Sequence, residues 1–107
     1  MLERYIFFGL LLVAVLLEVA ADVLFKKWSI DNKNILLIIG LAVYFIGTIF
    51  WAISLKYDFL SKAVSIFTVV NLILVVIVGM VVFTEDISVI NKIGIGLGII
   101  SVILIEL

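Results

Sequence analysis

The sequence predicts an all-α membrane protein, with four transmembrane helices in each subunit of a dimeric bundle. Two observations carry the helical fold. Of 107 residues, 67% are apolar and only 14% are charged, whereas a soluble domain is about half apolar and about a quarter charged. Too little polar surface exists to cover a globule in water. The apolar residues also fall into four runs of about twenty, the number a helix rising about 1.5 Å per residue needs to cross about 30 Å of hydrocarbon. Strands of a membrane β-barrel would alternate apolar and polar positions over about ten residues, and these runs are apolar on every face.

The first span covers residues 5–25, from Tyr5 to Phe25, and closes at Lys26-Lys27-Trp28, a cation and aromatic cluster suited to the interface. Glu3 offsets Arg4 ahead of it, and the run is long enough to span, which predicts a retained helix and not a cleaved leader. Ser29-Ile30-Asp31-Asn32-Lys33-Asn34 has the composition of a turn. The second span, 35–55, is free of charge and ends at Lys56-Tyr57-Asp58. The third, 62–83, is stopped by Thr84-Glu85-Asp86. The fourth, 88–107, carries Asn91 and Lys92 near its entry and Glu106 at its exit. These spans fill residues 1–107 as a single transmembrane domain.

Composition also excludes chemistry. The chain has no Cys and no His, which removes disulfides, thiol catalysis, the usual transition-metal ligand sets and any Ser/His/Asp triad, so no metal and no cofactor are expected. A net charge of −1 without a basic run gives no reason to expect nucleic acid. Neither a P-loop nor a G-x-G-x-x-G motif is present, and the chain is not expected to be an enzyme. Orientation follows the Lys/Arg bias between loops. One side carries Arg4, Lys56 and Lys62, and the other Lys26, Lys27, Lys33 and Lys92. So even a count leaves two readings open, a chain that inserts both ways and pairs with its own inverted copy, or one that takes a single orientation.

Two acids stand inside the first span. An ionised carboxylate at the centre of a bilayer costs about 2.5–3.5 kcal/mol on insertion scales, and Glu18 lies thirteen residues from Tyr5, about 20 Å along the axis. Such a group either exchanges a proton for a cation or is hydrogen-bonded glue between helices. Ala14, Glu18, Ala21 and Asp22 share one stripe, where small residues permit close approach of another helix or an open cavity. Asp22 either lines that cavity or pairs with Lys26, four residues on. Tyr44, Thr48 and Trp51 recur at helical spacing in the second span and are candidate walls for a hydrophobic cation, with ordinary packing as the alternative. In the third span, Phe67 and Asn71 stand at i and i+4, and a side-chain amide in hydrocarbon seeks a partner on another helix. Gly94, Gly98 and Ser101 form a small-residue face on the fourth span, for dimerisation or for packing within one subunit.

Four short spans with a carboxylate in the first resemble the small multidrug resistance family, within the drug/metabolite transporter superfamily. The likeness runs almost end to end. It rests on Leu17-Glu18-Val19 with Lys26 eight residues after the acid, Tyr44, Leu55-Lys56-Tyr57, Ala63 and Ile66, Phe83, and Gly94. The chain departs from the family in the third span. Val64 and Phe67-Thr68-Val69 replace an aromatic followed by Trp-Ser-Gly, and Phe59 and Ser61 stand where a Gly or Pro is usual. Asp22 replaces a usually neutral residue.

The resemblance implies that Glu18 is the shared proton and substrate carboxylate and that Tyr44 lies beside the binding cavity. A single four-helix subunit does not readily enclose a path, which predicts a homodimer, and the resemblance implies an antiparallel one with dual topology. The expected function is proton-coupled export of small organic cations by alternating access, in the inner or plasma membrane of a prokaryote. Its partners are then a second copy, protons, the cationic substrate and the lipid bilayer. Two rivals stand beside it: a flippase-like subunit moving a lipid-linked metabolite, and a non-transporting scaffold in which Glu18 and Asn71 only join helices.

Overall fold

The computed structural model describes residues Leu2–Leu107 and contains four α-helices: α1 (Leu2–Asp31), α2 (Asn34–Ser54), α3 (Leu60–Val82) and α4 (Val89–Glu106). No strand occurs among the described residues. All four helices are long and apolar enough to cross a membrane, and the protein is an all-α, multi-pass membrane protein. The helices fall into two compact units, one of α1 and α2 ending at Leu60, the other of α3 and α4 over Ser61–Leu107.

In the first unit, α1 runs further than the apolar pattern predicts. Its 30 residues make a rod of about 45 Å, longer than the roughly 30 Å of hydrocarbon. Lys26, Lys27 and Trp28 therefore sit on the helix as it leaves the apolar layer, not beyond its end. The turn expected over residues 29–34 shrinks to Asn32 and Lys33. Asn32 adopts the left-handed conformation, with φ of 58°, and its N–H donates to the Trp28 carbonyl at 2.8 Å, an αL ending that Asn accommodates well. Trp28 Nε1 donates to Asn34 Oδ1 at 3.4 Å across the turn. Two residues suffice to reverse the chain, so α1 and α2 lie antiparallel.

Lipid tails are as apolar as leucine, so close packing, more than burial from water, holds membrane helices together. α2 offers α1 two glycines, Gly40 and Gly47, both buried. A Cβ built on Gly47 would lie 3.1 Å from Leu17 Cβ and 3.4 Å from the Ala14 carbonyl and Glu18 Cγ. One built on Gly40 would lie 2.8 Å from the Phe25 ring. Seven residues are about two turns, so the two glycines share a face and let the helix backbones meet at two levels. Helix α2 then closes with i to i+3 bonds, Lys56 N–H to the Ile53 carbonyl and Tyr57 N–H to that of Ser54, both at 3.1 Å.

In the second unit, α3 ends where the Gly79 carbonyl accepts from both Phe83 N–H, at 3.2 Å, and Glu85 N–H, at 3.0 Å. Thr84 between them takes a φ of 50°. The chain folds back so far that a Cβ on Gly79 would meet the Glu85 carboxylate. Ser88 caps α4, its hydroxyl oxygen accepting from Asn91 N–H at 3.2 Å. Lys62 and Glu106 approach to 3.9 Å and join the start of α3 to the end of α4. Gly98 lies against Val69, whose Cγ1 is 3.5 Å from the place a Cβ would take.

Candidate functional site

The acid stripe of α1 is assembled by the α1–α2 hairpin. Phe7, Leu11, Ala14, Val15, Val19 and Ala21 are buried, and Ala14 and Ala21 have no exposed surface. Glu18 lies between these two alanines in sequence and is half-buried, with its Cγ against the bare backbone of Gly47. The missing side chain at Gly47 is what leaves room for the Glu18 stem. Asp22, also half-buried, follows one turn later on the same face. No ion pair joins Asp22 to Lys26 among the described residues. Lys26 is exposed, and a lysine near the end of a span can extend its stem to bring the ammonium to the interface without a carboxylate partner.

The aromatic stripe of α2 divides. Tyr44 is 44% exposed, and its ring lies 6.4 Å from that of Phe25, tilted by 46°. Phe25 is three residues beyond Asp22, on the same side of α1, so this ring pair flanks the acid stripe. Thr48 is exposed and donates its hydroxyl to the Tyr44 carbonyl at 2.9 Å, which leaves its oxygen as an acceptor. Trp51 is half-buried, and its carbonyl accepts from the buried Ser54 hydroxyl at 2.6 Å.

Phe67 and Asn71 belong to the second unit, both half-buried on α3. The Asn71 Oδ1 atom is shut off from solvent and has no hydrogen-bond donor among the described residues. Asn71 is eleven residues from either end of α3, near the middle of the span. On α4, Gly94 and Ser101 are exposed, while Gly98 faces Val69 of α3. Ser101 donates its hydroxyl to the Leu97 carbonyl at 3.0 Å.

Gly40, Gly47 and Phe25 escaped the sequence reading. Their signal was present, since Gly40 and Gly47 stand two turns apart in an otherwise bulky, charge-free span. The small-residue face of α4 drew attention for its i, i+4 spacing; within one subunit Gly94 has nothing within 4 Å of where a Cβ would be, whereas Gly98 meets Val69.

No curated protein and no solved structure matches this chain significantly. A family model does match, the one described as Small Multidrug Resistance protein, over residues 5–100.

Proposed function

Because the chain belongs to the Small Multidrug Resistance protein family and is thereby a small-molecule membrane transporter, we propose that it exports small organic cations in exchange for protons, with Glu18 as the shared binding group. The observation that supports this is a half-buried carboxylate on a membrane-spanning helix, its Cγ seated against a glycine of the neighbouring helix. An ionisable group within a span marks a transport pathway by default, because insertion disfavours it. A carboxylate holds a proton or a cation but not both, so a proton arriving from one side displaces cargo toward the other. Tyr44 and Trp51 supply apolar faces and quadrupoles suited to a hydrophobic cation, and Phe67 is the aromatic that α3 contributes.

The working unit in this proposal is an antiparallel homodimer in a prokaryotic cell membrane, each copy acting as one four-helix domain. The near balance of cations between the two sides is compatible with dual insertion. Inverted copies then rock against each other to give alternating access, as inverted repeats do in larger transporters. The two Glu18 carboxylates titrate as a pair.

The test is uptake of tetraethylammonium into proteoliposomes under an imposed pH gradient. Glu18→Gln keeps size and hydrogen bonding but cannot ionise, and uptake is expected to fall to that of protein-free liposomes. Gradient-driven uptake that persists in Glu18→Gln at the unmutated rate would overturn the proposal.

A further inference from the structure

Phe25 is the last residue of the apolar run on α1, just ahead of Lys26, and its ring is half-buried against α2. Gly40 is buried, and a Cβ built on it would lie 2.8 Å from Phe25 Cε1 and 2.9 Å from Cδ1. The ring therefore fills the volume that any larger residue at position 40 would need. Tyr44 follows Gly40 by four residues and shares its face of α2. Its ring centroid is 6.4 Å from that of Phe25, with the planes tilted by 46°, inside the range of about 4.5–7 Å over which aromatic pairs attract. Phe25 thus meets both the bare backbone of Gly40 and the ring of Tyr44. Tyr44 itself is 44% exposed, and Thr48 bonds its carbonyl, not its ring. A half-open ring hinged at Cβ keeps one orientation only where a neighbour limits its rotamers, and Phe25 is such a neighbour.

We propose that Phe25 is a positioning residue: seated on Gly40, it braces the Tyr44 ring in the orientation that offers its face to the cargo. The inference rests on Tyr44 being a wall of the cargo site and adds the two residues that set its angle. A ring attracts a cation through its face, within about 6 Å of the centroid, and rotation about one side-chain bond turns that face to an edge of opposite sign. A braced Tyr44 meets the cation without first losing rotamer freedom. The brace therefore acts on cargo binding and not on the steps that carry bound cargo across.

The experiment measures tetraethylammonium uptake into proteoliposomes under a pH gradient, over a range of cargo concentrations, with the full-length protein. Phe25→Leu stays apolar but removes the ring, and is expected to raise KM about fivefold while kcat stays within about twofold, the pattern of lost uniform binding. Phe25→Tyr keeps a ring on Gly40 and should hold KM near the unmutated value. Tyr44→Leu should raise KM at least as much, and adding Phe25→Leu to it should change nothing further, because the brace then has no ring to hold. Gly40→Ala displaces the Phe25 ring while both rings remain, so it should also raise KM, and it decides the matter if Phe25→Leu inserts poorly. An unchanged KM in Phe25→Leu and Gly40→Ala, a loss confined to kcat, a Phe25→Tyr protein as impaired as Phe25→Leu, or effects of Phe25→Leu and Tyr44→Leu that multiply would each overturn the brace and leave Tyr44 as a cavity wall. An unchanged KM in Tyr44→Leu overturns the reading on which the brace rests.

Discussion

Replacing Gly47 by leucine puts four carbon atoms at one of the two levels where a glycine of α2 faces α1. The first of them already lies 3.1 Å from Leu17 Cβ and 3.4 Å from both the Ala14 carbonyl and Glu18 Cγ. Leu17 Cβ and the Ala14 carbonyl are fixed to the α1 backbone, so a rotamer change cannot clear them and the helices must separate. An alanine at this position needs a shift of only a few tenths of an ångström. Overpacking typically costs about 1–3 kcal/mol, and removing a helical glycine returns about 1 kcal/mol. Gly47→Ala is therefore expected to lose up to about 1 kcal/mol net, and Gly47→Leu about 2 kcal/mol or more. Gly9→Ala is the counterpart, since a Cβ there meets nothing within 4 Å, and it should gain up to about 1 kcal/mol. Fluorescence-detected thermal unfolding of the detergent-solubilised protein gives the order of the three midpoints. Displacing α1 at this level also moves Glu18, so transport by Gly47→Leu should fall even in the fraction that stays folded. A Gly47→Leu protein that melts with Gly9→Ala would refute the close approach of α1 and α2 at this level.

Asn71→Leu removes an amide oxygen that is buried in α3 without a donor among the described residues. Relief of an unsatisfied buried acceptor is worth about 1–3 kcal/mol, so the subunit should melt higher, and a lower midpoint would show that the oxygen is satisfied in the assembled protein. At the α1–α2 turn, Asn32 holds a φ of 58°. Asn32→Gly should be nearly neutral, whereas Asn32→Val should lose about 1–2 kcal/mol, the cost of a left-handed L-residue. Equal midpoints for these two variants would argue against the αL ending of α1.

The number, type and approximate position of the spans were legible along the chain because hydropathy is a local property, read off by any window of about twenty residues. Glu18 stood out for the same reason, as a charge set deep in an apolar run. Asp22 looked like a partner for Lys26 because helical spacing says which side chains share a face, but not how far inside each head group sits. The turn over residues 29–34 was overdrawn because its polar composition did not reveal that Asn32 alone can end α1 in the left-handed conformation. Gly47 went unremarked for a similar reason, since the position of a glycine along the chain says nothing about what lies across from it.

What the amino-acid order determines by itself is that four apolar helices cross a membrane and that one of them carries two acids, because both follow from transfer free energies summed along a continuous segment. The tertiary structure alone decided that α2 meets the acid stripe through Gly47 and Gly40, that Phe25 and Tyr44 stand beside it, and that Asp22 goes without Lys26. Those relations depend on the register between helices far apart in sequence, where tenths of an ångström between backbones, not average hydropathy, choose which face is buried.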